Sequence, residues 1–406
     1  MTHKILMASY GGGHVNLMMP VYERLAAEND VVFLGLSIAA VRLDERGIPY
    51  RNYSSYAGAI LDDDARRFGK ELADLWHVEG KVPREESEAY LGACMRDLVL
   101  EHGEVKARKL LEQLGRKAFV PVYTARRIIE AEQPDVIVTT NSPRTERALT
   151  LAGNAMGIPT VNIHDHLGFE KRHMLEADRV AVMCPITRDN LVRTGHDPRR
   201  IVITGQPAFD AILLELASFD RADLCRRHGL DPAGRYVLLG SQKQFTEAML
   251  ADIFARVGNI EGHTLLVKPH PGEDYAMYER LMPRFPHVRL ITDVNIRELI
   301  FVSEAMIALW STVALEAVLM QKPLVQLDYP ELPNIIPLFQ YGVALEADSA
   351  EAVGRQARRA LTDAALRAEL AGRRDAMFAD LLTGRSTEAF ANLILDVARA
   401  GKENPA

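Results

Sequence analysis

Residues 4–14 read KILMASYGGGH, an apolar run that leads into three glycines and a histidine. The run predicts a buried β-strand, and the residues after it predict a helix that begins near Val15. Glycines at such a junction let the backbone pass close to a ligand, and the free N–H groups of the helix attract phosphate or another anion. Gly12 and Gly13 are therefore candidate ligand contacts, and His14 is a candidate general base. A tight turn that carries a surface histidine is the alternative.

The same junction lacks the signature of a dinucleotide site. The GxGxxG pattern requires a third glycine where this chain has Asn16, and the second predicted strand ends in Leu36 and Ser37 without an acid for a ribose hydroxyl. The loop therefore predicts anion binding rather than dinucleotide binding, and no cofactor is expected.

Short apolar runs alternate with amphipathic stretches through most of the chain. The runs are continuous, as in parallel strands that helices cover on both faces. This repetition predicts an α/β, doubly wound architecture. Strands are predicted at residues 4–9, 31–35, 135–139, 160–163, 180–184, 201–204, 236–239, 264–268, 288–292, 305–309 and 323–327, with helices such as 246–257 and 312–320 between them.

Two domains are predicted, because 406 residues exceed the usual size of one domain and two wound sheets fit the length better than one. The first domain spans about residues 1–207 and the second about 208–375, with a short connection and a well-defined cleft. A helical insertion is predicted at about 60–132, where the strand signal almost disappears. The terminal helices, 376–406, could belong to either domain.

Composition limits the partners and the location. The 48 basic and 55 acidic residues give a net charge of −7, which argues against a general nucleic-acid binder without excluding a local basic pocket. Three cysteines without CxxC spacing suit a reducing compartment and argue against a zinc site. No run approaches the roughly 20 apolar residues of a membrane span, and no secretory signal is present. We therefore expect a soluble, cytoplasmic protein.

Basic side chains follow one predicted strand of the second domain. Ligands of open α/β sheets bind outside the carboxyl ends of the strands. Lys268 and His270 lie at such an end, where Pro269 and Pro271 fix the backbone that presents them. Together they could neutralise a diphosphate or phosphodiester. A rigid turn with solvated polar tips is the alternative.

Hydroxyl side chains follow the strand that ends near Leu309. Ser311 or Thr312 is a natural amino-terminal cap for the next helix, and the hydroxyls with the free N–H groups form an anion site. Glu316 lies one turn farther on the same face, so its carboxylate can accept hydrogen bonds from ribose hydroxyls. Capping alone could explain the serine and threonine, but not a glutamate in an otherwise apolar helix.

Two weaker candidates also follow strands. Ser241 and Gln242 follow another strand of the second domain and could bind phosphate or base. Asp165 lies between two histidines after a strand of the first domain and could supply a carboxylate base. Nothing near Asp165 completes a metal site, and the three aspartates at 62–64 are typical of a solvated helix face, so no metal is expected.

These motifs together resemble those of glycosyltransferases with the GT-B fold. The layout is similar to that of the bacterial enzymes that transfer N-acetylglucosamine to form lipid II, and to that of non-hydrolysing UDP-N-acetylglucosamine 2-epimerases. The resemblance implies two Rossmann-like domains that face each other across a cleft, the first for an acceptor and the second for a nucleotide-sugar. The motifs are the loop with His14, Gly205-Gln206-Pro207 with Asp210, Gly240-Ser241-Gln242, Ser311-Thr312 with Glu316, Lys322-Pro323, and Thr383-Gly384-Arg385-Ser386.

A second resemblance concerns the donor. His270-Pro271, followed about 40 residues later by Ser311-Thr312, is similar to the HP and S-S/T motifs of bacterial sialyltransferases and of related CMP-sugar and CDP-glycerol enzymes. In those families the histidine and the hydroxyls bind the nucleotide phosphate, and an acid in a D/E-D/E-G motif is the base. The segment Asp165-His166-Leu167-Gly168 departs from that motif, which leaves open both the base and the choice between UDP and CMP. The position eight before Glu316 is Ala308, so the paired glutamates of retaining enzymes are absent and inversion is favoured.

The resemblances imply a metal-independent, inverting glycosyltransferase of bacterial glycan or glycoconjugate biosynthesis. It would transfer a sugar from a UDP-sugar, or from a CMP-sugar, to a hydroxyl acceptor linked to a lipid or glycan, with His14 or Asp165 as the base. One alternative is a 2-epimerase or nucleotide-sugar hydrolase, which would use Asp165 with Asp210 or Glu170. Another is a nucleotide-sugar-binding protein without catalysis.

The predicted insertion also offers a cationic surface. Its basic residues lie near two aromatic side chains and could rest on an anionic membrane that holds a lipid-linked acceptor. A solvated helix face is the alternative. The residues concerned are Lys106, Arg108, Lys109, Arg116 and Lys117, with Phe119 and Tyr123.

Overall fold

A computed structural model gives the fold and describes residues 2–168, 175–258, 260, 262–332 and 336–403. The described chain forms two six-stranded sheets, in which neighbouring strands always pair in parallel. This confirms the predicted α/β, doubly wound class. The chain divides into two compact units, Met1–Asp210 with Thr383–Ala406, and Ala211–Leu382.

The sheet of the first unit has strands β1 (Lys4–Ser9), β2 (Asp30–Gly35), β3 (Val136–Thr140), β4 (Thr160–Ile163), β5 (Arg179–Val182) and β6 (Ile201–Ile203), in the order β2-β1-β3-β4-β5-β6. Its helices are α1 (Gly12–Ala26), α2 (Ile38–Glu45), α3 (Ala57–Ile60), α4 (Asp63–Trp76), α5 (Arg84–His102), α6 (Glu104–Leu114), α7 (Val122–Glu132), α8 (Thr145–Ala155), α9 (Pro185–Arg193) and, after the second unit, α18 (Ser386–Glu403). The boundary at Asp210 falls within α10 (Pro207–Ser218).

The sheet of the second unit has strands β7 (Tyr236–Gly240), β8 (Thr264–Lys268), β9 (Val288–Leu290), β10 (Ala305–Ala308), β11 (Leu324–Leu327) and β12 (Leu345–Ala347), in the order β12-β11-β10-β7-β8-β9. Its helices are α11 (Arg221–Arg227), α12 (Glu247–Val257), α13 (Tyr275–Leu281), α14 (Ile296–Val302), α15 (Thr312–Leu319), α16 (Ala350–Thr362) and α17 (Ala364–Met377). Short 3₁₀ helices lie at Ser54–Tyr56, Gly115–Ala118, Pro198–Arg200, Met282–Arg284, Leu338–Tyr341 and Leu381–Thr383.

Both faces of the first sheet are covered by helices, as the continuous apolar runs predict. Successive side chains of a strand point to opposite faces. Leu6 of β1 packs in the core that contains the helical insertion, whereas Ile5 packs in the core that contains α1 and the terminal helix α18. Phe390 of α18 is fully buried in that second core, so the terminal helix belongs with the first unit.

The first helix begins three residues earlier than the sequence predicts. We expect it near Val15, but α1 starts at Gly12, with Gly11 as its amino-terminal cap. The first turn of a helix makes few internal hydrogen bonds, so glycines cost little there. His14 therefore lies in the first turn of α1 rather than in the loop before it.

No helix in the described part of the chain combines the length and the apolar character that crossing a membrane requires.

Two glycines set the close packing of α4 against α5 in the insertion. A Cβ atom at Gly92 would lie 2.0 Å from the carbonyl oxygen of Ala65, and one at Gly69 would lie 2.3 Å from that of Glu88. Real Cβ atoms do not approach backbone oxygens so closely, so the two helices could not keep this separation with larger residues.

We therefore expect Gly92→Ala to destabilise the first unit by roughly 1–3 kcal/mol, because one helix must move away from the other. Gly58→Ala is the matched control: Gly58 is also helical, and an added Cβ there meets nothing within 4 Å. Denaturant unfolding followed by the fluorescence of Trp76, which lies in α4, measures the difference. Equal midpoints for the two variants would contradict the packing argument.

Candidate active site

The first unit places His14 and Asp165 in direct contact. His14 follows β1, Asp165 follows β4, and β3 lies between these strands, so their carboxyl ends meet at one edge of the sheet. The Nε2 atom of His14 lies 2.9 Å from Oδ2 of Asp165. Its Nδ1 atom lies 2.8 Å from Oγ1 of Thr140 at the end of β3. The two candidate bases thus form one hydrogen-bonded group.

Glu146 anchors this group, and sequence reasoning missed it. Its fully buried carboxylate accepts the backbone N–H groups of Tyr10 at 2.8 Å and of Thr140 at 2.7 Å. The hydroxyl of Thr140 also donates to Glu146. Because that proton points to Glu146, the hydroxyl oxygen of Thr140 accepts a hydrogen bond from Nδ1 of His14.

The charges around His14 favour its protonated form. Burial lowers the pKa of His14, but the hydrogen bond to Asp165 and the charges of Asp165 and Glu146 outweigh burial and raise that pKa to about 9. Burial raises the pKa of Asp165, but the hydrogen bond from His14 and its charge bring that pKa below the ordinary value. At neutral pH, His14 is therefore an imidazolium that donates from both ring nitrogens.

The glycines before His14 leave open space at the amino end of α1. A Cβ atom at Gly11 or Gly13 would meet no heavy atom within 4 Å, and neither residue has a positive φ. Packing among the described residues and backbone conformation therefore do not explain these glycines. Side chains there would fill the space at the amino end of α1, so the open space suits a ligand close to the backbone.

The second unit contains a pocket of about 320 Å³ at the carboxyl ends of β7, β8 and β10. The strand β7 lies between the other two, and the chain turns to one side for β8 and to the other for β10. Such a switch point is where open α/β sheets bind ligands. The lining includes six residues that the sequence analysis selects: Ser241, Gln242, Lys268, His270, Ser311 and Thr312.

Lys268 and His270 supply donors to this pocket. Lys268 is 8% exposed, burial lowers its pKa, and Nζ donates to the carbonyl of Pro269 at 3.2 Å. An ammonium group carries three protons, so it retains capacity for phosphate oxygens. The Nδ1 atom of His270 accepts the N–H of Gly272 at 3.1 Å. The proton of the neutral ring is therefore on Nε2, where it can be donated to a ligand.

Glu273 fixes the loop that carries His270, and sequence reasoning missed it as well. Its carboxylate accepts the backbone N–H of His270 at 2.5 Å, the hydroxyl of Ser241 at 2.9 Å and the hydroxyl of Tyr278 at 2.8 Å. The loops after β7 and β8 are therefore held together by one acid. An acid directly after a Pro-Gly turn was the available signal, since such acids often bind turn N–H groups.

The loop after β10 completes the pocket. Ser311 caps α15, since its Oγ accepts the N–H of Ala314 at 3.2 Å, and it retains a hydroxyl proton for a ligand. The side-chain amide of Gln242 donates to the carbonyl of Trp310 at 2.8 Å, which ties the loop after β7 to this loop. Thr312, the first residue of α15, is exposed at the pocket.

Glu316 is outside the pocket lining and is held by an arginine. Its Oε2 atom accepts from Nε of Arg297 at 2.9 Å, and Nη1 of Arg297 donates to Glu215 at 2.9 Å. The side chain of Glu316 is 12% exposed. Its contact with a ribose therefore stays a prediction.

The carboxylates of the alternative function have other positions. Both oxygens of Asp210 bind the first N–H groups of α18, at 3.1 Å to Ser386 and 2.7 Å to Thr387. Asp210 is thus a helix cap, and Glu170 lies outside the described residues. Within the described ranges, no group of three or more His, Cys, Asp or Glu side chains could hold a metal ion.

The cationic surface of the insertion is partly used within the protein. Phe119 is fully buried and is thus unavailable to a membrane, whereas Tyr123 is 48% exposed. Arg108 pairs with Glu71 at 2.6 Å. Membrane contact through Phe119 is therefore excluded.

Comparison with solved structures identifies the fold. The S. aureus MnaA–UDP complex matches with a TM-score of 0.65 and 14% identity, over 100% of this chain and 99% of that one. The UDP-GlcNAc 2-epimerase from Neisseria meningitidis bound to UDP-GlcNAc matches with a TM-score of 0.64 and 11% identity, over 97% and 100%. A glycosyltransferase from Rickettsia africae matches with a TM-score of 0.58 and 12% identity, over 99% of each chain.

The protein therefore has the GT-B fold of two Rossmann-like, parallel-sheet domains, as the sequence motifs predict. The matches include both 2-epimerases and glycosyltransferases, and at these identities they establish the fold alone. No protein-family model and no curated protein matches the chain.

Proposed function

We propose that the protein is a glycosyltransferase that moves a sugar from a nucleotide-sugar to a hydroxyl acceptor in glycan or glycoconjugate biosynthesis. The observation that carries this proposal is the pocket after β7, β8 and β10, where Lys268, His270 and Ser311 line one space. A UDP-sugar is the favoured donor, because two matched structures contain UDP or UDP-GlcNAc. A CMP-sugar is the alternative donor.

The second unit would hold the donor through its phosphates. Lys268 offers a positive charge, and His270, Ser311 and Thr312 offer hydrogen-bond donors, beside the amino end of α15. These groups stabilise the negative charge that develops on the phosphate as its bond to the sugar breaks. They supply what a divalent cation supplies elsewhere, so we propose metal-independent transfer.

The first unit would activate the acceptor. The acceptor hydroxyl attacks the anomeric carbon from the face opposite the departing phosphate, which inverts the configuration, and its proton passes to the hydrogen-bonded pair of His14 and Asp165 when the ring of His14 is neutral. Asp165 then stabilises the imidazolium across their 2.9 Å contact. Gly12 and Gly13 leave room for the reacting groups at the amino end of α1.

This role of His14 predicts a pH dependence. Only the neutral ring accepts a proton, and the pKa of His14 is raised to about 9. We expect kcat/KM to increase with pH up to about 9. In Asp165→Asn this increase should occur at lower pH, because the charge that raises the pKa of His14 is lost. Initial rates from pH 6 to 10 measure it. If kcat/KM of the variant increased over the same pH range as that of the unaltered protein, His14 would not be the base.

The same ion pair predicts how stability depends on pH. The pKa of His14 is raised by folding, so its contribution is fully present below its unfolded pKa of about 6.5 and is lost as pH rises through about 9. The most reactive pH is therefore one at which this pair stabilises the fold least.

A 2-epimerase is the second candidate function, and the matched epimerases favour it. Epimerisation by elimination requires acid–base carboxylates that face the sugar. Asp210 caps a helix, and Asp165 is paired with His14, which makes transfer the better-supported reaction.

One experiment separates these functions. A thermal-shift screen of UDP, CMP, GDP and dTDP selects the nucleotide, and matching donors are then incubated with and without acceptors in the presence of EDTA. If the protein is the proposed glycosyltransferase, a product of inverted configuration should form only when an acceptor is present. A changed sugar without acceptor supports the epimerase or a hydrolase, and nucleotide affinity without turnover supports a binding protein.

A further inference from the structure

A second pocket lies within the first unit, where the helical insertion covers the carboxyl ends of β1 and β2. Tyr10 and Leu36 contribute from the loops after these strands. Trp76 and Tyr90 contribute from α4 and α5 of the insertion. The pocket is thus built by the insertion, which is absent from a minimal strand–helix repeat.

Three aromatic rings form part of the lining of this pocket. The rings of Tyr10 and Tyr90 have centroids 6.2 Å apart and are tilted by 55°. Trp76 adds a third ring, and the guanidinium of Arg116 lies 5.3 Å from its centroid. Rings in these arrangements favour another flat aromatic group, by edge or offset contacts.

The available charge of the pocket is positive. Arg116 and Lys81 line it, and neither forms an ion pair with a carboxylate of the described residues. Arg116 donates one hydrogen bond to the carbonyl of Trp76 at 2.6 Å, which leaves further donors in its planar fork. Such a fork matches a carboxylate.

Glu86 is the one acid in the lining, and it is already engaged. Its two oxygens accept the backbone N–H groups of Tyr53 at 3.2 Å and of Ser54 at 2.8 Å. Burial raises the pKa of Glu86 to about 7, so part of its charge is lost at neutral pH. Glu86 therefore does not cancel the two cations for an incoming anion.

Tyr10 links this pocket to the His14 group. Its side chain lines the pocket, while its backbone N–H binds the same Glu146 carboxylate that holds Thr140 and, through it, His14. A ligand that packs against the ring of Tyr10 therefore contacts the residue directly before the three glycines that lead to His14.

We propose that this pocket binds a hydroxylated aromatic acid, whose ring packs against Tyr10, Trp76 and Tyr90 and whose acid group binds Arg116 and Lys81. If the proposed glycosyl transfer is correct, this ligand is the acceptor, and its hydroxyl is the group that is glycosylated. Only this identification as the acceptor rests on the proposed function; the binding of the ligand does not. The acceptor is then a small aromatic compound, and the glycoconjugate that the proposed transfer forms is its glycoside.

The two tryptophans of the chain allow the two pockets to be tested separately. Trp76 lines the aromatic pocket, and Trp310 lies beside the pocket after β7, β8 and β10, next to Ser311. The Trp310→Phe variant leaves Trp76 as the reporter, and Trp76→Phe leaves Trp310.

In Trp310→Phe, we expect 4-hydroxyphenylacetate to change the fluorescence of Trp76 saturably and to bind about tenfold more tightly than the neutral 4-hydroxyphenylacetamide. Arg116→Gln and Lys81→Gln should each reduce that preference. Lys117→Gln is the matched control, since it removes an exposed charge adjacent to Arg116 that is outside the lining. Lys81 is exposed, so its variant should fold even if the Arg116 variant does not.

The outcomes are distinguishable. No saturable response of Trp76, or equal affinity for the acid and the amide, overturns the proposal. A response of Trp76 to the acid, with a preference over the amide that is reduced in the Lys81 variant and kept in the Lys117 variant, supports it whether or not Trp310 responds to UDP or CMP. If the fluorescence of Trp310 changed with neither nucleotide, the result would count against the proposed transferase. It would not affect the proposal for the aromatic pocket.

Discussion

Replacing His14 with alanine is expected to lower turnover by about 10²–10⁴-fold, because the acceptor hydroxyl would lose its base. The dissociation constant of the nucleotide should change little, since the proposed nucleotide groups belong to the second unit and His14 to the first. Steady-state kinetics with saturating donor give the turnover, and calorimetry gives the affinity. The predicted result is a loss confined to kcat.

The His14 variant needs a control for structure, because it removes a cation that lies between Asp165 and Glu146. His14→Gln keeps a hydrogen-bonding side chain that cannot act as a base, and it should lose turnover to the same extent. His196→Ala removes a histidine just before β6, at the opposite edge of the sheet, and should retain full turnover. Unchanged turnover in both His14 variants would move the base to Asp165.

The fold could be predicted from the sequence because buried parallel strands appear as continuous apolar runs. All eleven predicted strands are present. The twelfth, Leu345–Ala347, was missed because it has three residues and an exposed Glu346 in the middle, which gives no apolar run. The start of α1 was misplaced because glycines indicate a loop, whereas the first turn of a helix tolerates them.

The pocket after β7, β8 and β10 could be predicted in part for a geometric reason. The carboxyl ends of parallel strands meet at one edge, so residues at or just after the end of each strand must be neighbours, as Ser241, Lys268 and Ser311 are. The partners that fix these residues could not be predicted, because they depend on distances between elements. Glu273 and Glu146 are examples, because each binds groups from two or more segments. The Pro-Gly turn before Glu273 indicates its contact within the turn, but no local pattern reveals the partners of either acid in other segments.

A local sequence pattern can give the position of an acidic residue in a helix, but it cannot give the contacts that its carboxylate makes. The spacing from Thr312 puts Glu316 one turn into α15, and the structure agrees with that position. Its partner Arg297, at the start of α14, comes from a segment that the motif does not include. Arg297 limits the orientations of the carboxylate, so the motif alone does not give the direction in which Glu316 presents it.

Lys268→Met is expected to weaken nucleotide binding by about 10- to 150-fold. A hydrogen bond to a charged group contributes about 1.5–3 kcal/mol, and every 1.4 kcal/mol corresponds to a factor of ten. Methionine has a similar length and no charge, and Lys268 is 8% exposed with one carbonyl partner, so the fold should lose little stability. Calorimetric titration with UDP and CMP measures the effect.

The matched control is Arg280→Gln, which removes an equally positive side chain that is exposed, pairs with Glu247 and is outside the pocket lining. The Arg280 variant should bind the nucleotide as tightly as the unaltered protein does. Increasing salt should weaken nucleotide binding less in the Lys268 variant than in this control. If both variants bound the nucleotide equally well, Lys268 would not contact phosphate. The anion site would then consist of His270, Ser311 and the amino end of α15, and the proposed substitute for a divalent cation would lack the charge of its lysine.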